Sequence, residues 1–308
     1  MFSFFFDLST KVRYLRFSLI QKLAVMPQYL LAMAIFGTIG LFVKFIDLPS
    51  TVIALSRGAL GTLFLFVVVQ FMRRRMDTES IKRNFKHLLI AAVALGFNWI
   101  FLFEAYRLTS IATATLAYYM APVILILLSP LILKERVGLA KWICVICALI
   151  GMSLIAGIWE GSDQIALSGI AMGLLAACFY ATIVINNKFL NGLNPYDSAI
   201  VQLGIAALVL LPYVAFTVDF TSLSLDTQTI GLTLIVGIVH TGVAYWLYFS
   251  ALPKLEAARI AIFSYIDPAI AILLSVFVLM EPITTAGVIG AVLILGAALT
   301  SEFVGKNK

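Results

Sequence analysis

From residue 28 to residue 302 the chain alternates long apolar runs with short polar interruptions. A helix needs about 20 mostly apolar residues to cross a hydrocarbon core about 30 Å thick. Ten runs reach that length, at 28–46, 51–71, 88–108, 110–133, 139–158, 166–187, 196–217, 229–250, 257–280 and 283–302. The pattern predicts an all-α integral membrane protein with ten transmembrane helices. The linkers are short, and none reads as a separate soluble domain.

Composition fits a chain solvated by lipid. Of its 308 residues 62% are hydrophobic and 12% charged, against about 25% charged in soluble domains, and the mean hydropathy is +1.07. A net charge of +6 would elsewhere raise nucleic acid or acidic partners, but here its distribution describes topology instead. Eighteen of the 21 Lys and Arg fall on the side of the N-terminus; Arg107 alone falls opposite, and Lys44 and Arg57 lie within spans. Positive charge accumulates on the cytoplasmic face, so both termini are expected in the cytoplasm, with the chain in the plasma membrane, the inner membrane of a bacterium. The loops holding Glu160–Asp163 and Asp219–Asp226 are then expected outside. Residues 1–27 form a cytoplasmic N-terminal segment, basic with an aromatic cluster, read either as lying on the headgroups or as a disordered tail. They show no apolar region followed by a cleavage site. Cys144, Cys147 and Cys178 all sit in apolar spans and read as packing residues.

The fourth and ninth runs are twins. Residues 119–135 align without a gap to 265–281, with nine of 17 positions identical. The pairs Tyr119/Tyr265, Pro122/Pro268, Ser129/Ser275 and Glu135/Glu281 carry the match, since Ile and Leu coincide cheaply in such a composition. Gly96/Gly242 share the offset, and Lys44/Lys188 nearly do. The chain thus divides into five-helix repeats at 28–158 and 166–302, with a cytoplasmic tail at 303–308. Five spans per unit is odd, so the second unit enters from the opposite face and the repeats are inverted. Inverted repeats belong to transporters, whose equivalent halves exchange conformations around a midplane site.

The Tyr-x-x-Pro of the fourth span of each unit, the Glu at that span's end and the five-plus-five arrangement resemble the EamA-type branch of the drug/metabolite transporter superfamily. The resemblance covers nearly the whole chain. It implies a basket of helices around a central cavity lined mainly by the first, third and fourth spans of each unit, and export of amino acids, related metabolites or drugs, with uptake in some members. One departure stands out: Ala121 occupies the position that matches Asp267.

Asp267 lies about 16 Å along its span, near the midplane. An intramembrane acid is costly and is by default a functional residue. It reads as a proton-coupling or cation-binding carboxylate, against a structural partner of Arg57 or of a hydroxyl. Pro268 cannot donate to the carbonyl of Ser264, nor Pro122 to that of Tyr118, so both prolines mark a helix break, as hinge or as kink. Asn98 and His240 lie at similar depth in third spans. His240 reads as a proton shuttle or a donor to a substrate carboxylate, against a hydrogen bond to a neighbouring helix; Asn98 leans to the structural role. Glu104 lies near the outer end of its span, within reach of water and substrate. Arg57 reads as the partner of an acid, and Lys44 as snorkelling to the interface. Trp99, Tyr118, Tyr180, Tyr245 and Trp246 could wall a cavity, but Tyr119 and Tyr265 rise above ordinary packing because the repeat places them. Glu135 and Glu281 read as interfacial helix ends. The G-x-x-x-G of Gly169 and Gly173 permits close helix contact within the bundle.

Only two histidines are present, so no multi-histidine metal site can form, and no P-loop supports ATP-driven pumping. No metal or cofactor is expected. The expected function is secondary active transport of a small organic metabolite, amino-acid-like, amine or drug-like, as an exporter, with lipid as surroundings and a proton as candidate coupling ion. The alternatives are a proton- or ion-coupled importer and, further off, a membrane-embedded enzyme.

Overall fold

The computed structural model describes residues 25–132, 138–155, 164–251, 254–255, 260 and 263–303. The segment up to residue 24, Glu135, the Glu160–Asp163 loop and the tail after residue 303 lie outside the described residues. Every described element is helical: α1 Val25–Lys44, α2 Ser50–Phe71, α3 Thr78–Arg83, α4 Phe85–Leu108, α5 Ile111–Tyr118, α6 Ala121–Ile132, α7 Leu139–Ile155, α8 Gln164–Lys188, α9 Pro195–Thr217, α10 Thr227–Gly237, α11 Ala244–Ala251, α12 Ile266–Phe277 and α13 Thr285–Phe303. Seven helical stretches among the described residues are long and apolar enough to cross a membrane, and three more apolar helices, Leu139–Ile155, Ile266–Phe277 and Thr285–Ser301, are shorter.

Polar residues start these helices where the apolar runs cannot. Ser110 caps α5 by accepting from the Thr113 N–H at 3.0 Å, and Asn194 caps α9 with Pro195 in the first position, where a missing N–H costs nothing. Asp226 accepts from the Thr229 N–H to start α10.

Two runs that the sequence presents as continuous are not regular helices. The fourth is broken at Tyr119 and Met120, between α5 and α6. Pro122 then falls in the first turn of α6, where the proline is tolerated because that N–H has no intrahelical partner. In the twin run a turn at Tyr265 precedes α12, with Pro268 again in the first turn. The eighth run passes from α10 into a π-helical turn, Ile238–Val243, before α11. Such a turn widens the ladder by one residue and is a frequent feature of functional sites.

The interior is mainly apolar, as in a soluble domain, but the surface is apolar too: Leu63, Phe66, Leu208, Phe216 and Val292 are exposed, as lipid surroundings allow. A few polar residues, Arg57, Asn98, His240, Thr241 and Ser275, are buried among them, where each is costly unless partnered. Helix α4 packs on α8, α2 on α9, α5 on α12, and α7 on α13. Glycine makes the last of these approaches possible, since a Cβ on Gly151 would lie 2.7 Å from the Gly290 carbonyl oxygen, and it also seats α1 against α12, where a Cβ on Gly37 would lie 2.5 Å from the Asp267 carbonyl oxygen.

Candidate functional site

The breaks in the fourth spans of the two units bring their residues together. Asp267 is the second residue of α12, so the positive end of that helix supports its negative charge. The Tyr119 hydroxyl, from the other break, donates to Asp267 Oδ2 at 3.2 Å. The rings of Tyr119 and Tyr265 have centroids 6.1 Å apart, and Tyr118 meets Tyr119 edge-on at 6.1 Å and Tyr180 at 5.4 Å. Asp267, Tyr118, Tyr119 and Tyr265 are each partly exposed.

Arg57 is held beside this cluster by the π-helical turn. Its Nε donates to Thr241 Oγ1 at 2.7 Å, and Thr241 in turn donates to the Val236 carbonyl, five residues back, at 3.2 Å. The widened turn is what frees that carbonyl distance and aims the hydroxyl at α2. Glycines let the elements meet: Gly61 lies against Thr241, and a Cβ on Gly242 would lie 2.6 Å from the Phe64 ring. The guanidinium carbon sits 4.3 Å from the centre of the Trp99 ring and 5.7 Å from that of Phe103, a cation–π stack in a desolvated site. The ion pair with Asp267 that the sequence offers as an alternative is not formed. The two charges lie within electrostatic reach of each other, but the ion pairs among the described residues are Lys44–Glu281 and Arg74–Asp197.

His240 occupies the same turn. Its Nδ1 faces the Ile235 carbonyl at 3.3 Å and therefore carries a proton, and its Nε2 lies 2.8 Å from Thr38 Oγ1 on α1. Thr38 also lies 2.8 Å from the Ile35 carbonyl, so its single hydroxyl proton has two acceptors when the imidazole is neutral. Phe42 covers the ring with centroids 4.8 Å apart. The geometry gives His240 the hydrogen bond to a neighbouring helix that the sequence set against a shuttle.

Asn98 also reaches the cluster, through a side-chain hydrogen bond with Tyr118, whereas Glu104 serves elsewhere. Asn98 donates from Nδ2 to the Ala176 carbonyl at 2.7 Å, tying α4 to α8. Glu104 accepts from Ser50 Oγ at 2.8 Å, near the last turn of α4 and the first of α2. Sequence reasoning also left Lys44 and Glu281 as separate interfacial residues, whereas they form an ion pair. Glu281 Oε2 further accepts from the Ile111 N–H at 2.9 Å and from Ser275 Oγ at 2.5 Å, and Ser275 Oγ accepts from the Ala112 N–H at 3.2 Å. One carboxylate thus latches α1, α5 and α12 together. The recurrence of Glu and Lys at matching offsets was the available signal; Thr38 and Thr241 gave none. No group of three His, Cys, Asp or Glu able to hold a metal occurs among the described residues.

The arrangement brings one acid, one cation and several aromatic rings near one another.

Three comparisons bear on what such an arrangement serves. The "Uncharacterized transporter YxxF" of Bacillus subtilis is 33% identical over 286 residues, covering 91% of this chain and 90% of its own length. An "Uncharacterized transporter" of Archaeoglobus fulgidus is 26% identical over 265 residues, covering 84% and 90%. A solved crystal structure superposes with a TM-score of 0.63 at 16% identity, covering 92% of this chain and 99% of that one, and so shares the fold. The model of the EamA-like transporter family matches residues 24–157 and again 167–301. These two matches together span almost the whole chain, and the chain belongs to the EamA-like transporter family.

Proposed function

We propose that the protein is a secondary active transporter that moves a small organic metabolite by alternating access, working as an exporter, with Asp267 as the coupling carboxylate. The observation that carries the reading is the meeting of the two helix breaks, Tyr119 of one donating to Asp267 of the other. A titratable group at a joint between two broken helices feels any motion of either. Protonation or a cationic substrate group would compete with the Tyr119 hydroxyl for it; Tyr106, Tyr118 and Arg57 are the other ionisable groups within its field.

Ten spans in two inverted repeats, bounded at 28–158 and 166–302, with both termini cytoplasmic in a bacterial inner membrane, complete the proposal. The packing of α2 on α9, α5 on α12 and α7 on α13 supports it, since each pair joins corresponding spans of the two repeats. The Lys44–Glu281 latch serves as a closure at one end, which this orientation makes the outer end.

Proteoliposomes with an imposed pH gradient and an internal pH dye test the reading, challenged in turn with amino acids, amines and aromatic acids. The wild type should dissipate the gradient when its substrate is added. Asp267→Asn should insert normally and lose this response while retaining exchange without a gradient. Full gradient-driven movement in Asp267→Asn would reduce Asp267 to a structural residue.

A further inference from the structure

Arg57 is 6% exposed, lies about 10 Å along α2, and has no acid in ion-pair contact among the described residues. A cation so placed is costly in hydrocarbon and marks a pathway or a ligand by default. Its Nε is engaged by Thr241. Its two terminal nitrogens donate no hydrogen bond to any described residue, and neither is among the buried polar atoms sealed off without a partner. They therefore keep a small accessible surface without a protein partner among the described residues. We infer that Arg57 is an anion-binding residue whose guanidinium fork takes the carboxylate of the transported molecule; the inference rests on the central site being the transport site.

Three features shape the fork for this ligand. Bonding through Nε and stacking on Trp99 fix the plane of the guanidinium, so the two terminal nitrogens present parallel donors to a planar carboxylate. The immobilised side chain loses little further freedom on binding, which favours affinity. Trp99 and Phe103, both buried, pack against the guanidinium and hold it in place. Asp267 lies within electrostatic reach of the fork but makes no ion-pair contact with it, and one of its oxygens accepts from Tyr119. The opposite charges, each kept by its own hydroxyl partner, leave room for a molecule that brings its own negative group to Arg57.

The experiment uses the purified full chain in detergent and matched acid–amide pairs: 3-phenylpropionate and its amide, L-phenylalanine and its amide, and 4-methylpentanoate and its amide. An arginine-directed dicarbonyl is added, and labelling of Arg57 is followed by mass spectrometry. Acids should slow the labelling several-fold and amides should not; protection by L-phenylalanine alone among the acids would assign a zwitterion, and by all three acids a simple carboxylate. Arg57→Lys keeps the charge but not the fork, and should bind the protective acid at least about tenfold more weakly, the loss of one charge-assisted hydrogen bond. Equal protection by acid and amide, protection by no acid of the series, or undiminished acid binding by Arg57→Lys overturns the inference. Should Arg57→Lys not fold, the wild-type labelling decides alone. Gradient-driven flux of amides or amines without acid protection would sink this inference and leave the transport reading intact; acid protection without any flux would do the reverse.

Discussion

At the scale of single residues, the interior is organised by hydroxyls. Thr241 holds Arg57, Tyr119 holds Asp267, and Thr38 faces His240. Each is a short or rigid side chain that satisfies a buried polar group which would otherwise be left unmade, and leaving one unmade costs about 1–3 kcal/mol. Thr38→Val should therefore destabilise the protein by about 1–3 kcal/mol, because His240 Nε2 loses its partner. Replacing both groups, with Thr38→Val and His240→Phe, should recover much of the loss, since two apolar surfaces then meet. Thermal unfolding in detergent checks both; a double variant as unstable as the sum of the single ones would contradict the pairing. Asp267 was legible in the sequence because a charge amid apolar residues has few reasons to exist. Thr38 and Thr241 were not, because hydroxyls are common in apolar helices and only the neighbour across the interface distinguishes them. Arg57 was visible as a cost, but its partner was misassigned: the sequence contains an acid at a compatible depth, and nothing in it says that a hydroxyl and an indole ring stand nearer.

At the scale of elements, both departures from regular helix have local physical causes with tertiary consequences. Pro122 and Pro268 forbid one ladder bond each, and the chain restarts its helix with the proline in the first turn. The position of the break was therefore readable from the prolines. The π-helical turn carries no proline, and it coincides with the close approach of α2 to Gly61–Thr241 and Phe64–Gly242, a feature of packing that no window of one strand of sequence reveals. Ends outside the bilayer follow simpler rules. Asp226 caps α10, and its hydrogen bonds from the Thr229 side chain and the Thr229 N–H hold its carboxyl below the ordinary carboxylate range. A depressed value in the folded state means that the cap is fully present above the unfolded value of about 3.9 and is lost as pH falls through the folded one. Hydrogen exchange should accordingly show the Thr229 amide losing relative protection only in that acid window. Asp226→Asn, which keeps an acceptor without a charge, should abolish the pH dependence; unchanged dependence would assign it to another group.

At the scale of the whole molecule, the Lys44–Glu281 pair and its hydrogen bonds tie α1, α5 and α12 together, the contact proposed above as a closure. If that closure must open during transport, a disulfide joining Lys44→Cys to Glu281→Cys, in a background with Cys144, Cys147 and Cys178 replaced by Ala, should stop flux and release it on reduction. Flux that persists under the crosslink would remove the latch from the cycle. The sequence by itself determined the solvent, the helical class and the family, and it singled out Asp267, because lipid fixes the length of apolar runs and makes every interior charge conspicuous. The tertiary structure alone decided which polar groups meet: that Asp267 goes to Tyr119, Arg57 to Thr241 and Trp99, His240 to Thr38, and Glu281 to Lys44. Those pairings join residues far apart in the chain, and the sidedness of a helix that is apolar nearly all round is not written in its periodicity; it is fixed when glycine contacts and helix breaks set how closely, and at what rotation, each helix meets its neighbours.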